Sequence, residues 1–205
     1  MYRLLSFLVF ELLAGGVVLD RIAVVAADRA IKDSDIQREI RVVSFLNKDK
    51  PDFSAAGRKD AAQRLIDQTL IRRDIELARY SVADPKEVEK LYQQVRSRYG
   101  SPEAFQAALR QAGITDEELR RALTWQVTVL RFIEQRFRSA TSVSDKDARQ
   151  YYEQHRAAFQ NVTFAQARPR IENVLRGNEV NQAFEAWLEQ SRSNTKIRYL
   201  EEELR

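Results

Sequence analysis

The chain contains no cysteine, and only four prolines and six glycines occur among its 205 residues. The absence of cysteine excludes disulfides, thiol catalysis and cysteine-ligated metal sites. A β-sandwich or barrel needs frequent turns between short strands, and turns depend on glycine and proline. The scarcity of both residues therefore argues against an all-β fold.

Motifs of cofactor and catalytic sites are also missing. The sequence has no HExxH, Walker loop, GxGxxG or GxSxG pattern. Its one histidine, His155, lies in a helical stretch without a second histidine to pair with. The acidic runs Asp116–Glu118 and Glu201–Glu203 are explained by a favourable charge at a helix start and by a solvated tail. We therefore expect no catalytic residues, no metal and no cofactor.

Charge of one sign is not concentrated anywhere in the chain. The net charge of +4 arises from 34 basic and 30 acidic residues, which alternate through the helical stretches. This pattern is typical of solvated helix faces, and it does not favour a nucleic-acid partner. Apolar residues make up 44% of the chain, enough to bury the core of a single domain.

The N-terminus has the pattern of an export signal. Residues 1–3 form a short basic start, and the run Leu4–Val18 is apolar except for Glu11. Ala14 and Gly16 place small residues at the −3 and −1 positions of a cleavage after residue 16. We predict a signal peptide over residues 1–16, with an uncleaved membrane anchor and a buried N-terminal helix as the alternatives.

After the predicted signal peptide, the residue patterns near both ends of the chain predict strands, and those between them predict helices. Apolar runs at Ile22–Val25 and Ala30–Ile31 flank a plausible turn at Ala27–Arg29, which indicates a hairpin. The alternating stretch Lys196–Leu200 predicts a final strand. Because neither end can satisfy its backbone hydrogen bonds alone, we expect this strand to pair with the hairpin. The fold class predicted is mainly α with a small β-sheet.

Two capping boxes predict the starts of long helices, one formed by Thr115 and Glu118 and the other by Thr163 and Gln166. The first helix should run to about Phe137. Its apolar residues cover more than one face, so we expect it at the centre of the domain.

The closing helix, predicted over residues 164–193, contains two residues that weaken helices. Pro169 lies within its early turns and predicts either a late start at Arg168–Pro169 or a kink. Gly177 weakens the helix further because glycine loses the most backbone freedom on folding.

The order of these segments resembles the SurA family of periplasmic chaperones. The stretches that carry the likeness are LDRIAVVAADRAIKDSDI (19–36), RLIDQTLIRRDIE (64–76), YGSPEAFQAALRQAGITDEELRRALTWQVTVLRFIEQRF (99–137), VSDKDARQYYEQH (143–155) and FAQARPRIENVLRGNEVNQAFEAWLEQSRSNTKIRYLE (164–201). Family members share a helical module made from an N-terminal part and a C-terminal helix and strand. One or two parvulin-type prolyl isomerase domains usually lie between these parts.

The sequence departs from the family at that insertion point. Only Gln160–Thr163 separate Phe159 from Phe164, whereas a parvulin domain needs on the order of ninety residues. The resemblance therefore implies a single chaperone domain over residues 17–205, composed of 17–159 and 163–201, with no isomerase domain.

The function that this resemblance implies is ATP-independent binding of unfolded exported polypeptides, above all outer-membrane protein precursors, in the periplasm. Apolar side chains would make the contacts. The candidates are Phe105, Leu109, Trp125, Phe132, Tyr151, Tyr152 and Phe159. Core packing is the competing interpretation for each. The aromatics near helix junctions are expected to be partly exposed: Phe105, Tyr151, Tyr152 and Phe159.

Two other functions stay open at this point. In the first, the chain is a degenerate prolyl isomerase. The missing isomerase domain and the lone His155 argue against this function. In the second, the chain is a scaffold that binds one fixed folded partner, or a second copy of itself to form a homodimer. Binding to a panel of unrelated unfolded peptides separates a chaperone from a scaffold.

Overall fold

The computed structural model describes residues 20–205, so the predicted signal peptide over residues 1–16 lies outside the described residues. Across the described part of the chain, no helix is both long and apolar enough to cross a membrane. The strands and α-helices are β1 Ile22–Ala26, β2 Arg29–Lys32, α1 Asp33–Asn47, α2 Ala55–Ala78, α3 Pro85–Arg96, α4 Pro102–Ala112, α5 Asp116–Arg136, α6 Asp145–Gln154, α7 Phe164–Ser193 and β3 Ile197–Tyr199.

The three strands form one antiparallel sheet in the order β2-β1-β3. Strand β3 pairs with β1 so that Val24 lies opposite Tyr199 and Ala26 lies opposite Ile197. The backbone N–H of Ala27 in the hairpin turn also donates to the carbonyl of Lys196 at 3.2 Å. The predicted mainly α fold, with a small sheet that joins both ends of the chain, is confirmed.

Both capping boxes are formed. The Thr115 hydroxyl accepts from the backbone N–H of Glu118 at 3.1 Å, and the Glu118 carboxylate accepts from the Thr115 N–H at 2.8 Å. Thr163 and Gln166 make the same reciprocal pair at the start of α7. Each box satisfies backbone donors that a helix start otherwise leaves unpaired.

Helix α7 differs from one of its two predicted forms. It begins at Phe164, directly after the Thr163 cap, so the predicted late start at Arg168–Pro169 is wrong. Pro169 lies inside the helix, where its missing N–H costs one hydrogen bond near the start. The capping box stabilises the first turn ahead of that position, and the helix continues uninterrupted to Ser193.

The apolar residues form three clusters. The main core joins the sheet to α1, α2, the end of α5 and the second half of α7, around Ile66 and Phe132. The second core joins the end of α1 to α3, α4 and the first half of α5, around Phe105 and Leu119. The third core lies between α6 and the first half of α7, around Ile171.

Two helices connect these clusters. Helix α5 contributes Leu119 and Leu123 to the second core and Phe132 to the main core, as expected for the central helix. Helix α7 contributes Ile171 to the third core and Leu188 to the main core. The shared helices leave concave surfaces where neighbouring elements diverge.

Candidate client-binding surfaces

Most of the side chains predicted to contact a client are buried. Phe105 and Leu109 are each 1% exposed in the second core, and Phe132 is fully buried in the main core. Tyr152 and Phe159 belong to the third core. These five residues stabilise the fold, so the structure presents none of them on an open surface.

The partial exposure expected of Phe105 is wrong. Its ring lies 5.8 Å from the ring of Tyr92 and 5.5 Å from that of Tyr99, measured between centroids, and Phe45 completes the cluster. A position near a helix junction does not expose this side chain, because four elements meet around it.

The partial exposure expected of Tyr152 and Phe159 is also wrong. Their rings lie 5.5 Å apart, and the Tyr152 hydroxyl donates to the carbonyl of Val162 at 2.6 Å. That hydrogen bond satisfies the phenol in a buried position. The Phe159–Phe164 connection folds over the two rings and removes both from the surface.

Tyr151 is half-buried at the edge of the third core, and its ring stacks on His155 with centroids 4.0 Å apart. The ring of His155 also donates from Nδ1 to the carbonyl of Tyr151 at 2.8 Å. Both contacts of the exposed histidine are therefore local to its own helix end. Within residues 20–205, no three His, Asp or Glu side chains are grouped as metal ligands.

Trp125 is the predicted contact residue that lines a concavity. Two adjoining cavities of about 400 and 350 Å³ share Arg72, Arg121 and Trp125. We call them together the α2–α5 trough. Its lining residues from these two helices and the loop after α2 are Leu65, Gln68, Thr69, Arg72, Ile75, Glu76, Val82, Glu118, Arg121, Ala122, Thr124, Trp125 and Thr128.

A third cavity of about 650 Å³ extends the trough towards the sheet. It shares Thr69 and Glu76 with the trough and reaches the hairpin turn and the start of β3. Leu77 lies on its wall with 73% of its surface exposed, and Val82 in the trough is 63% exposed. Apolar groups therefore remain open to solvent along the whole concavity.

A larger concavity, of about 800 Å³, lies elsewhere, between the end of α1, the loop that follows it and α4. We call it the Phe53 groove. Its apolar lining residues are Phe45, Pro51, Phe53, Tyr99, Ala108 and Ala112. Phe53 is 44% exposed, and Tyr99 stacks on Phe45 with centroids 5.5 Å apart.

Basic residues border the Phe53 groove. Arg41 lies with its guanidinium carbon 5.6 Å from the Phe53 ring centroid, and Lys48 and Lys50 line the loop side. Lys48 adopts a left-handed backbone conformation at the end of α1, which turns the loop back across the groove. Sequence analysis missed this site. The available signal was Phe53, an aromatic residue within a charged loop. A loop that is only solvated rarely contains a large aromatic side chain.

Solved structures include chains similar to this one, whereas no family model and no curated protein matches the sequence. A chain from the solved structures of the virulence factor PEB4 and the periplasmic protein Cj1289, two structurally related SurA-like chaperones of Campylobacter jejuni, superposes with a TM-score of 0.57. The two chains are 14% identical, and the match covers 88% of this chain and 99% of the other.

The chain has a SurA-like fold. The resemblance seen in the sequence is thereby confirmed for the fold. In this SurA-like fold α7 follows Phe159 after only four residues, and it packs on both α6 and α2. The α2–α5 trough is lined by residues of α5, and the Phe53 groove adjoins the second core, to which α5 contributes Leu119.

Proposed function

We propose that the protein is an ATP-independent chaperone that holds unfolded exported polypeptides in the periplasm, with outer-membrane protein precursors as its clients. The observation that carries this proposal is the Phe53 groove, a large concavity with a half-exposed aromatic at its wall. Support also comes from the SurA-like fold, since the neighbour described above is a SurA-like chaperone.

The physical basis of holding is burial of apolar surface without a fixed geometry. Each Å² of apolar area removed from water contributes about 25 cal/mol. Phe53 and Tyr99 offer such area to an extended chain, and the flanking loop can accommodate different side chains. Because the client loses conformational entropy on binding, we expect modest affinity for any one peptide.

We propose no catalytic step for this chaperone. The Phe159–Phe164 connection is too short for an isomerase domain, so the proposed holding module spans residues 17–205. His155 is engaged with Tyr151 of its own helix and faces no second histidine, because the sequence contains none.

The test is suppression of aggregation of a chemically unfolded outer-membrane protein by the purified protein without nucleotide. We expect Phe53→Ser to reduce suppression several-fold and to leave the melting temperature nearly unchanged, because the side chain is already half-exposed. Leu200→Ser is the matched control: Leu200 is 58% exposed and lines neither concavity. Equal suppression by both variants and the wild type would contradict the proposed groove.

A scaffold role remains the competing proposal, because Leu130 is 61% exposed in a shallow depression between α3 and α5. A second copy or one folded partner could cover such a side chain. Sedimentation across a range of protein concentrations measures self-association. A tight homodimer that fails to hold any unfolded client would favour the scaffold.

A further inference from the structure

Arg72 holds an unusual position in the α2–α5 trough. Its guanidinium carbon lies 4.0 Å from the ring centroid of Trp125. Stacking of this kind uses the face of the guanidinium and leaves its in-plane N–H donors directed outwards. Desolvation by neighbouring groups lowers the pKa of Arg72, the charge of Arg29 adds to that effect, and the carboxylate of Glu76 opposes it. The side chain is nevertheless exposed to solvent, and an arginine stays protonated at neutral pH.

Every carboxylate that lines the trough already has an arginine partner. The ion pairs are Arg38–Asp35 (2.8 Å), Arg38–Glu118 (2.9 Å), Arg64–Glu39 (3.2 Å) and Arg29–Glu76 (3.0 Å). Arg121 is paired as well, with Glu117 at 2.7 Å. Among the residues that the structure describes, no carboxylate lies within ion-pair distance of Arg72.

Apolar groups adjoin Arg72. Val82, 63% exposed, lines the same cavity as Arg72 and the half-buried Trp125. That cavity of about 350 Å³ matches one or two side chains in size. The trough therefore places an arginine that has no direct ion-pair partner beside an apolar wall.

We propose that the α2–α5 trough is a subsite for a carboxylate flanked by an apolar or aromatic residue on an extended peptide. The carboxylate accepts hydrogen bonds from the Arg72 guanidinium, and the neighbouring side chain packs against Trp125 and Val82. This proposal rests on the proposed chaperone function and adds a chemical preference to it. An acidic side chain and a peptide C-terminus both supply the required group.

The experiment measures binding of short fluorescent peptides to the full-length protein by anisotropy. The first two peptides are blocked at both ends and carry Tyr-Glu-Val or Tyr-Gln-Val at the centre. We expect the wild type to bind the Glu peptide about fivefold more tightly at low salt, the upper range for a partly exposed ion pair. The preference should shrink as salt is added.

A third peptide identifies the source of the carboxylate. It has a free C-terminus directly after Tyr-Gln-Val and is compared with its amide. Preference for the free acid alone assigns the subsite to chain ends, and preference for the Glu peptide alone assigns it to acidic side chains. No preference in either comparison overturns the proposal, and this test needs no variant.

Variants then locate the preference. We expect Arg72→Gln to abolish it, Arg72→Lys to keep part of it, and Arg98→Gln to leave it unchanged, because Arg98 is exposed and lines neither the trough nor the Phe53 groove. A preference that survives in a folded Arg72→Gln protein places the carboxylate elsewhere and overturns the assignment to the trough.

Client holding is measured in parallel on the same proteins. If the wild type suppresses aggregation but shows no carboxylate preference, the subsite is wrong and the chaperone function stands. If the wild type neither suppresses aggregation nor binds any of the peptides, both proposals fall.

Discussion

Arg58 donates a hydrogen bond from Nη2 to the carboxylate of Glu201 at 2.6 Å, across 143 residues of sequence. The same guanidinium donates to Asp33 at the start of α1, and Arg21 lies 2.9 Å from the other oxygen of Glu201. The Glu201 side chain is 7% exposed and that of Arg58 is 15% exposed, so the solvated tail expected over Glu201–Glu203 is wrong for Glu201. This ion-pair cluster therefore holds the end of the chain against α1 and α2.

Removal of Arg58 should destabilise the protein markedly. We expect Arg58→Met to lower the free energy of unfolding by about 2 kcal/mol, because it leaves the carboxylate of Glu201 buried with less compensation. Urea denaturation measures the loss. The control is Arg121→Met, which removes a solvated pair with Glu117 and should cost less than about 0.5 kcal/mol. Equal losses would contradict the special role of the cluster.

Acid should remove part of that stabilisation. The hydrogen bond from Arg58 holds the pKa of Asp33 below its ordinary value of 3.8. A carboxyl whose pKa is lower in the folded state stabilises the fold above its unfolded pKa, and that stability is lost as pH falls through the folded pKa. The difference in unfolding free energy between wild type and Arg58→Met should therefore shrink below about pH 4. A difference that is constant with pH would show that Asp33 is not coupled to Arg58.

Gly177 offers a stabilising substitution. A Cβ at this position meets no atom within 4 Å, and the residue lies inside α7. We expect Gly177→Ala to raise the free energy of unfolding by about 0.5–1 kcal/mol, since alanine loses less backbone entropy in a helix. Gly113→Ala is the contrasting control, because Gly113 ends α4 with φ +67° and an added side chain there is strained. Its melting temperature should fall while that of Gly177→Ala rises.

Phe105 should behave as a core residue. Because its ring is 1% exposed, we expect Phe105→Ala to cost about 3–5 kcal/mol. The half-buried Tyr151 is the comparison, and Tyr151→Ala should cost about 1 kcal/mol. Thermal unfolding distinguishes the two. A Phe105→Ala protein of nearly wild-type stability would return this residue to the candidate client contacts.

The last prediction concerns prolyl isomerisation. We expect the purified protein to leave the cis–trans rate of a proline-containing peptide at the uncatalysed value, with a known parvulin as the positive control. His155 is committed to Tyr151 and lacks a second histidine. A rate above background that disappears in His155→Ala would make the protein an enzyme.

Local signals predicted much of the fold correctly. A capping box needs only residues three apart, so Thr115 with Glu118 and Thr163 with Gln166 are readable from the sequence. Unpaired backbone at both chain ends likewise predicted the pairing of β1 with β3. The late start predicted from Pro169 is wrong because the capping box at Thr163 and packing on two cores offset the cost of the proline.

The candidate site depended on contacts between distant residues. Phe105, Trp125 and Phe53 are alike as apolar residues in sequence, yet one is buried, one is half-buried in a trough and one is half-exposed on a groove. Helical period shows that a side chain lies on an apolar face and not whether another element covers that face. The sequence likewise does not show whether Arg72 has an ion-pair partner, because most candidate carboxylates lie on other segments.

By itself, the sequence determined the fold class, the two capping boxes, the pairing of the final strand with the hairpin and the absence of cysteine chemistry, since each follows from composition or from neighbouring residues. Only the tertiary structure decided which apolar faces stay open, where the Phe53 groove lies and that Arg72 stacks on Trp125 without an ion-pair partner among the described residues. The physical reason is that burial and charge compensation are properties of several segments packed together, and no one segment contains them.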